Sequence, residues 1–257
     1  MEEVLWKEPI KLGSSETKPA IEEVELLNPD VPIVFKGTAG STKTFSLLLY
    51  GEKAGYDVFM QECASNSDFA DLMGTWILGD GGKMVFNATQ LTSAFKNSSN
   101  GKKTLLILDE INLVPMDTLK SINSIFDRRK WIDTPIGRLY GGENLIIAGT
   151  MNSEEDSAGN ELDVALRSKV IVIEVDASKA LRNTGVLDER MIKLIENSGY
   201  RISIREFEQM SVLATRMIQL GESKESAVKK AKNYVLQKFD RDVRLQIEQA
   251  YKAIGGD

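Results

Sequence analysis

Histidine is absent from all 257 residues. Its absence excludes imidazole acid–base catalysis and the usual zinc ligand sets. A single cysteine, Cys63, rules out an intramolecular disulfide and predicts a reducing, intracellular home. With no imidazole to activate it, Cys63 reads as a small buried hydrophobe. No apolar run reaches the length of a membrane span, and the opening MEEVLWKEPIKLG has no apolar signal core. A cytoplasmic protein is expected. An excess of positive charge is also lacking: 32 basic side chains face 38 acidic ones, for a net charge of −6. That argues against a dedicated nucleic-acid binder, although one local face can differ from the mean. What is present suits a folded chain, because 42% hydrophobic residues suffice for a sizeable core.

Residues 1–29 are polar, carry Pro9 and Pro19, and read as an N-terminal arm with one short strand. Apolar runs then recur at Val31–Phe35, Asp57–Glu62, Thr104–Asp109, Asn144–Gly149 and Val170–Val175. Runs such as LLILD and LIIAG are typical of strands buried on both faces. Helical intervals are expected near 43–54, 67–78, 90–97, 116–129 and 161–168. Such alternation predicts a parallel sheet flanked by helices. Beyond about residue 178 only helical patterns remain, near 186–197, 203–220, 224–238 and 240–253. Ser203 with Glu206 forms a capping-box pattern, and Gly221 is placed to end the helix. The expected organisation is an arm (1–29), an α/β domain (30–178) and a smaller all-helical domain (179–257).

Between the first core strand and its helix runs Gly37-Thr38-Ala39-Gly40-Ser41-Thr42-Lys43-Thr44-Phe45. The backbone amides of such a loop can surround a polyphosphate, and the helix start adds partial positive charge. Lys43 would reach the β and γ phosphates, and the Thr44 hydroxyl would coordinate Mg²⁺. One position departs from the phosphate-loop pattern. Thr42 stands where glycine, with no Cβ to obstruct the phosphate, is favoured.

A second apolar strand ends in Asp109-Glu110. Ligands of open α/β sheets bind at the carboxyl ends of the strands. Asp109 is placed to hold Mg²⁺ through water, and Glu110 to polarise an attacking water as general base. A third strand ends in Asn152, which suits orienting that water or touching the γ phosphate.

Taken together, these residues resemble the AAA+ superfamily, and more narrowly its helix-2-insert clade of MoxR-like, McrB-like and dynein-related ATPases. The resemblance covers residues 30–178 best. It rests on Asp71-Leu-Met-Gly74 followed by Gly79–Phe86 and Leu91–Phe95, on Asp109-Glu110-Ile-Asn112, and on Gly149-Thr-Met-Asn-Ser153 followed by Leu162–Arg167. It implies a P-loop α/β domain of three layers followed by a helical lid, binding ATP with Mg²⁺. It implies that Asn152 is sensor 1, and that an arginine acts on the neighbouring subunit's nucleotide. Arg167 is the first choice for that finger and Lys169, which lacks the planar fork, the second. Arg205 matches sensor 2.

The resemblance also implies a homo-oligomer, a ring with six subunits among the options, acting on a protein or nucleic-acid substrate or adaptor. The hairpin at 79–87 and the basic run Arg128–Arg138 with Trp131 are candidate pore or partner elements. The bland reading of that basic run is an exposed hairpin packed on a neighbour. Two other functions stay open: a nucleotide switch with little hydrolysis, and a McrB-like GTP-using motor serving a separate nuclease.

Overall fold

The apolar runs form a five-stranded sheet whose strands all pair in parallel. The computed structural model describes residues 3–13, 17–153, 161–185, 187, 189–199 and 202–253. The chain divides into two units. One comprises Met1–Gly37 with Thr42–Val175, and the other Thr38–Ser41 with Asp176–Asp257.

In the first unit the order is β1 (Glu3–Leu5), β2 (Ile33–Gly37), α1 (Lys43–Lys53), β3 (Asp57–Glu62), α2 (Phe69–Met73), β4 (Gly74–Leu78) and β5 (Met84–Ala88). It continues with α3 (Gln90–Ser99), β6 (Thr104–Asp109), α4 (Met116–Ser121), β7 (Trp131–Thr134), β8 (Gly137–Tyr140), β9 (Leu145–Asn152), α5 (Val164–Arg167) and β10 (Ile171–Glu174). The main sheet has the order β10-β2-β9-β6-β3. Leu105–Leu108 and Leu145–Ala148 are almost wholly buried, as central strands covered on both faces must be. Phe59, Phe95, Leu106 and Ile147 anchor the principal core, each contributing about 1.5–3 kcal/mol on burial. The arm reaches back to the sheet, where Ile10 N–H donates to the Val58 carbonyl at 2.7 Å. That bond satisfies part of the open edge of β3.

Local chemistry sets several boundaries differently from expectation. The interval 67–78 is not one helix. Asp68 caps α2 and accepts from Asp71 N–H at 2.9 Å, but the helix ends at Met73. Gly74, at φ 112°, turns the chain into β4, and Thr75–Leu78 pair antiparallel with β5. The hairpin is therefore longer than 79–87, with strands at 74–78 and 84–88. The helix expected over 116–129 stops at Ser121 and gives way to a 3-10 turn over Asn123–Phe126. Only Val164–Arg167 of the interval 161–168 is helical.

The regular elements of the second unit, among its described residues, are all helices: α6 (Ala177–Asn183), α7 (Glu189–Asn197), α8 (Ile204–Gln219), α9 (Lys224–Leu236) and α10 (Arg241–Ala253). α6 begins before the interval expected at 186–197. Leu181, Ile192, Ile195, Leu236 and Ile247 form its core. α8 and α9 meet through Ala214, Ala227 and Ala231, whose small side chains allow close approach. Ser203 N–H donates to the Glu206 carboxylate at 2.8 Å, closing the cap of α8. At the other end Gly221, at φ 96°, lets Glu222 N–H reach the Met217 carbonyl at 3.1 Å. Gly221 N–H also reaches the Ile218 carbonyl at 3.0 Å, and the two bonds make a Schellman ending.

Candidate functional site

Sheet register gathers the site in the first unit. Gly37 lies opposite Asn152 at the ends of β2 and β9. Asp109 ends β6 opposite Glu62 at the end of β3. The carboxyl ends of three adjacent strands thus present Gly37, Asn152 and Asp109 along one edge.

α1 starts at Lys43 directly after the loop. The Lys43 ammonium is buried and donates to the Gly37 carbonyl at 2.9 Å and to Asn152 Oδ1 at 3.2 Å. The Thr44 hydroxyl donates to Asp109 Oδ1 at 2.6 Å. The Thr150 hydroxyl donates to the same oxygen, also at 2.6 Å. Thr150 Oγ1 accepts in turn from Glu110 N–H at 3.0 Å. The Asn152 amide nitrogen closes the chain of contacts by donating to Glu110 Oε1 at 3.1 Å. Among the described residues, the second oxygens of Asp109 and Glu110 carry no hydrogen bond. Lys43, Thr44, Asp109, Glu110 and Asn152 therefore share one hydrogen-bonded system.

Two backbone positions in this system are left-handed. Thr42 has φ 62° and ψ 15°, and Glu110 has φ 56° and ψ 43°. Such a conformation costs an L-residue about 1–2 kcal/mol, and it is unusual for a β-branched residue. At Glu110 the turn lets its carbonyl accept from Leu113 N–H at 2.9 Å while the carboxylate stays with Asn152. At Thr42 the carbonyl accepts from Ser46 N–H at 2.9 Å, but the hydroxyl is buried with no partner among the described residues.

Two participants carry no role in the sequence reading. Thr150 lies inside the buried run of β9, where a β-branched residue signals only strand propensity. Its hydroxyl positions both acids. Cys63 lies beside the same acids, and its N–H donates to the Asp109 carbonyl at 3.0 Å. Burial first, then Asp109 and Glu110, push its thiol up to about 12. The thiol stays protonated at neutral pH, as its reading as a small hydrophobe requires.

Of the remaining candidates in the first unit, Arg167 and Lys169 make their contacts elsewhere. Thr38–Ser41 form a tight turn in which Ser41 N–H donates to the Thr38 carbonyl at 3.3 Å and Gly40 adopts φ 74°. Phe45 is exposed on the first turn of α1. Arg167 pairs with Glu161 at 3.5 Å at the surface. Lys169 is engaged within its own chain, 2.7 Å from Asp127 and 3.3 Å from the Asn123 carbonyl. Arg205 is exposed in the first turn of α8, where the helix dipole opposes a cation. In the β7–β8 hairpin the Arg138 guanidinium stacks 4.0 Å over Trp131 and grips Asp133 through two bonds of 2.7 and 3.0 Å. Arg138 and Trp131 are thereby used inside the hairpin, whereas Arg128 and Arg129 of the same run are exposed.

The donor set suits a hard cation. One carboxylate and one hydroxyl stand together, and no group of three or more His, Cys, Asp or Glu side chains occurs among the described residues. Mg²⁺ is commonly held in this way, by one or two protein oxygens with water and phosphates completing its shell.

Residues 32–170 match the family profile described as AAA domain, dynein-related subfamily. Midasin of Giardia intestinalis is 24% identical over 152 residues, which is 58% of this chain and 3% of that protein. Midasin of Dictyostelium discoideum is 27% identical over 148 residues, which is 56% of this chain and 2% of that protein. The chain thus spans only a small fraction of these relatives. A solved structure from Cytophaga hutchinsonii ATCC 33406 is similar with a TM-score of 0.46 at 13% identity, covering 87% of this chain and 85% of that one. No described helix is long and apolar enough to cross a membrane. The family match spans more than half of the sequence and contains the whole hydrogen-bonded system from Lys43 to Asn152, so this chain belongs to the dynein-related subfamily of AAA domains.

Proposed function

We propose that the chain is an ATPase that binds ATP with Mg²⁺ and, as a homo-oligomer in the cytoplasm, couples hydrolysis to movement of a partner macromolecule. The observation that carries this reading is the continuous path from Lys43 through Asn152 to Glu110. A cation that can hold phosphate, a neutral amide and a carboxylate that can take a proton from water are groups that support phosphoryl transfer to water. Residues 30–178 would form the nucleotide-binding domain and 179–257 its lid. The β4–β5 hairpin, inserted after α2, favours the helix-2-insert branch with its MoxR-like and McrB-like members.

Each side chain then has a defined task. Lys43 exchanges the Asn152 and Gly37 oxygens for phosphate oxygens, so its buried charge stays satisfied throughout. The loop residues Gly37–Thr44 wrap the phosphates with backbone amides, and Phe45 flanks them. Mg²⁺ would be held by the Thr44 hydroxyl and Asp109, and would neutralise charge on the β and γ phosphates. Glu110 accepts a proton from the attacking water through its unengaged oxygen, while Asn152 fixes the carboxylate. Arg167 or Lys169 would serve a neighbouring subunit's site, and Arg205 the site of its own chain.

The test is phosphate release by wild type and by Glu110→Gln, with size analysis with and without nucleotide. Turnover in wild type, its loss in Glu110→Gln with binding retained, and nucleotide-dependent assembly are expected. Equal background release from both proteins would favour a second reading, a nucleotide switch. The strained Thr42 and the pairing of Lys169 with Asp127 speak for that reading. Competition between ATP and GTP separates an ATPase from a McrB-like GTP-using motor.

A further inference from the structure

Thr42 carries two costs, and the backbone role proposed for its loop answers only the first. Its backbone is left-handed at φ 62°. Its hydroxyl is shut away from solvent with no partner among the described residues. Threonine at a helix start usually caps the first turn from an extended backbone, but no such bond forms here. The backbone carbonyl already serves α1 by accepting from Ser46 N–H at 2.9 Å. The carbonyl is thus engaged, and the hydroxyl has no such partner among the described residues.

Its place in the chain narrows what can satisfy it. The next residue, Lys43, has its ammonium on the Gly37 carbonyl and Asn152 at 2.9 and 3.2 Å. The one after, Thr44, is bound to Asp109 at 2.6 Å. A hydroxyl has one proton to give. An anionic oxygen is its strongest acceptor, since hydrogen bonds to charged groups are roughly twice as strong as neutral ones. Polyphosphate is the anion that a strand–loop–helix turn with a lysine at the helix start accommodates. A glycine would take the left-handed backbone without strain but has no donor to offer.

We propose that the Thr42 hydroxyl is a polyphosphate-binding group, donating its proton to a phosphate oxygen of the nucleotide. The proposal rests on the nucleotide reading above and deepens it. The residue then exchanges ease of folding for a ligand contact. In the free loop the hydroxyl is unpaired, and in the loaded loop it is satisfied. The gain belongs to the phosphates and not to the base or sugar.

The experiment titrates the full chain calorimetrically with Mg·ATP and, separately, with Mg²⁺ and inorganic triphosphate. The proteins are wild type, Thr42→Ser, Thr42→Val, Thr42→Ala, Thr42→Gly and Lys43→Ala. Thr42→Ser should bind both ligands within about twofold of wild type, because it keeps the donor. Thr42→Val and Thr42→Ala should bind both about tenfold more weakly, the size of one hydrogen bond to a charged group. Thr42→Gly should weaken binding similarly while raising the melting temperature of the unliganded protein. Thr42→Val binding as tightly as Thr42→Ser would overturn the proposal, as would a loss seen with ATP but not with inorganic triphosphate. If Thr42→Val does not fold, Thr42→Ala against Thr42→Ser decides on the same scale. Wild type that binds neither ligand, with Lys43→Ala indistinguishable from it, would remove the nucleotide reading itself. That failure is distinct from one in which wild type binds and the hydroxyl proves idle.

Discussion

The Asn152 side chain donates to Glu110 at 3.1 Å with its amide nitrogen and accepts from Lys43 at 3.2 Å with its amide oxygen. A neutral group thus bridges a carboxylate and an ammonium. Asn152→Ala should leave the carboxylate unfixed. Turnover should fall about 10²-fold, the usual cost of losing one positioned polar group. Nucleotide affinity should change only a few-fold, because Lys43 keeps the Gly37 carbonyl until phosphate replaces it. Measuring kcat and Kd separately checks this. A loss confined to Kd would show that Asn152 serves binding and not the orientation of Glu110.

Thr150 is the hinge between the two acids. Its hydroxyl donates to Asp109 Oδ1 at 2.6 Å and accepts from Glu110 N–H at 3.0 Å. Thr150→Val keeps the shape and the strand propensity but leaves that part-buried amide unpaired. Stability should fall by about 1–3 kcal/mol in denaturant unfolding. Half-maximal turnover should need more Mg²⁺, since Asp109 loses one of its two supports. Thr150→Ser should behave as wild type. A valine variant with unchanged unfolding midpoint and unchanged Mg²⁺ requirement would remove this role.

How much of this was readable beforehand depends on where each residue lies. β6 agrees with the sequence limits because a strand buried on both faces needs an unbroken apolar run, and the partly buried edge strand β3 agrees as well. Asp109, Glu110 and Asn152 stand out because polar side chains follow such runs abruptly. Thr150 does not stand out, since it is one β-branched residue inside LIIAGTMN. β4 was hidden for another reason. FADLMGTWIL is apolar enough to continue a helix, and short apolar runs do not distinguish helix from strand. Gly74 at φ 112° decides the matter, and only pairing with β5 supplies the partner strand. The left-handed backbones of Thr42 and Glu110 had no local signal, because neither residue type requires that conformation.

The two candidate fingers differ in what already holds them. Lys169 is bound to Asp127 at 2.7 Å, whereas Arg167 has only a looser contact with Glu161 at 3.5 Å. Both pairs are substantially solvated, so each contributes at most about 1 kcal/mol to stability. Arg167→Ala should lower turnover about 10³-fold if it spans transition-state oxygens in a neighbouring site. Lys169→Ala should lower it less than tenfold, by the same comparison. Mixing Arg167→Ala with Glu110→Gln is the sharper measurement. A subunit with intact Glu110 then meets a neighbour with intact Arg167, and part of the activity should return. A mixture no more active than its two components would exclude action between subunits.

Acid should weaken the helical unit through Glu206. Burial raises the pKa of this carboxyl, but three hydrogen bonds outweigh it: from the Lys238 ammonium, the Ser203 hydroxyl and the Ser203 N–H. The net result lies below the ordinary 4.5. A carboxylate with a depressed folded pKa contributes stability that is fully present above its unfolded value. The contribution fades as pH falls through the folded one. The relevant window therefore opens near 4.5 and extends downward. Glu206→Gln cannot ionise, and its amide leaves Lys238 without a charge partner. At pH 7 the variant should melt below wild type. As pH drops below 4.5 wild type should lose its advantage, and the two melting curves should converge. Thermal melts from pH 7 to pH 3 test this directly. A gap that stays constant across that range would mean that Glu206 acts through packing and not through its charge.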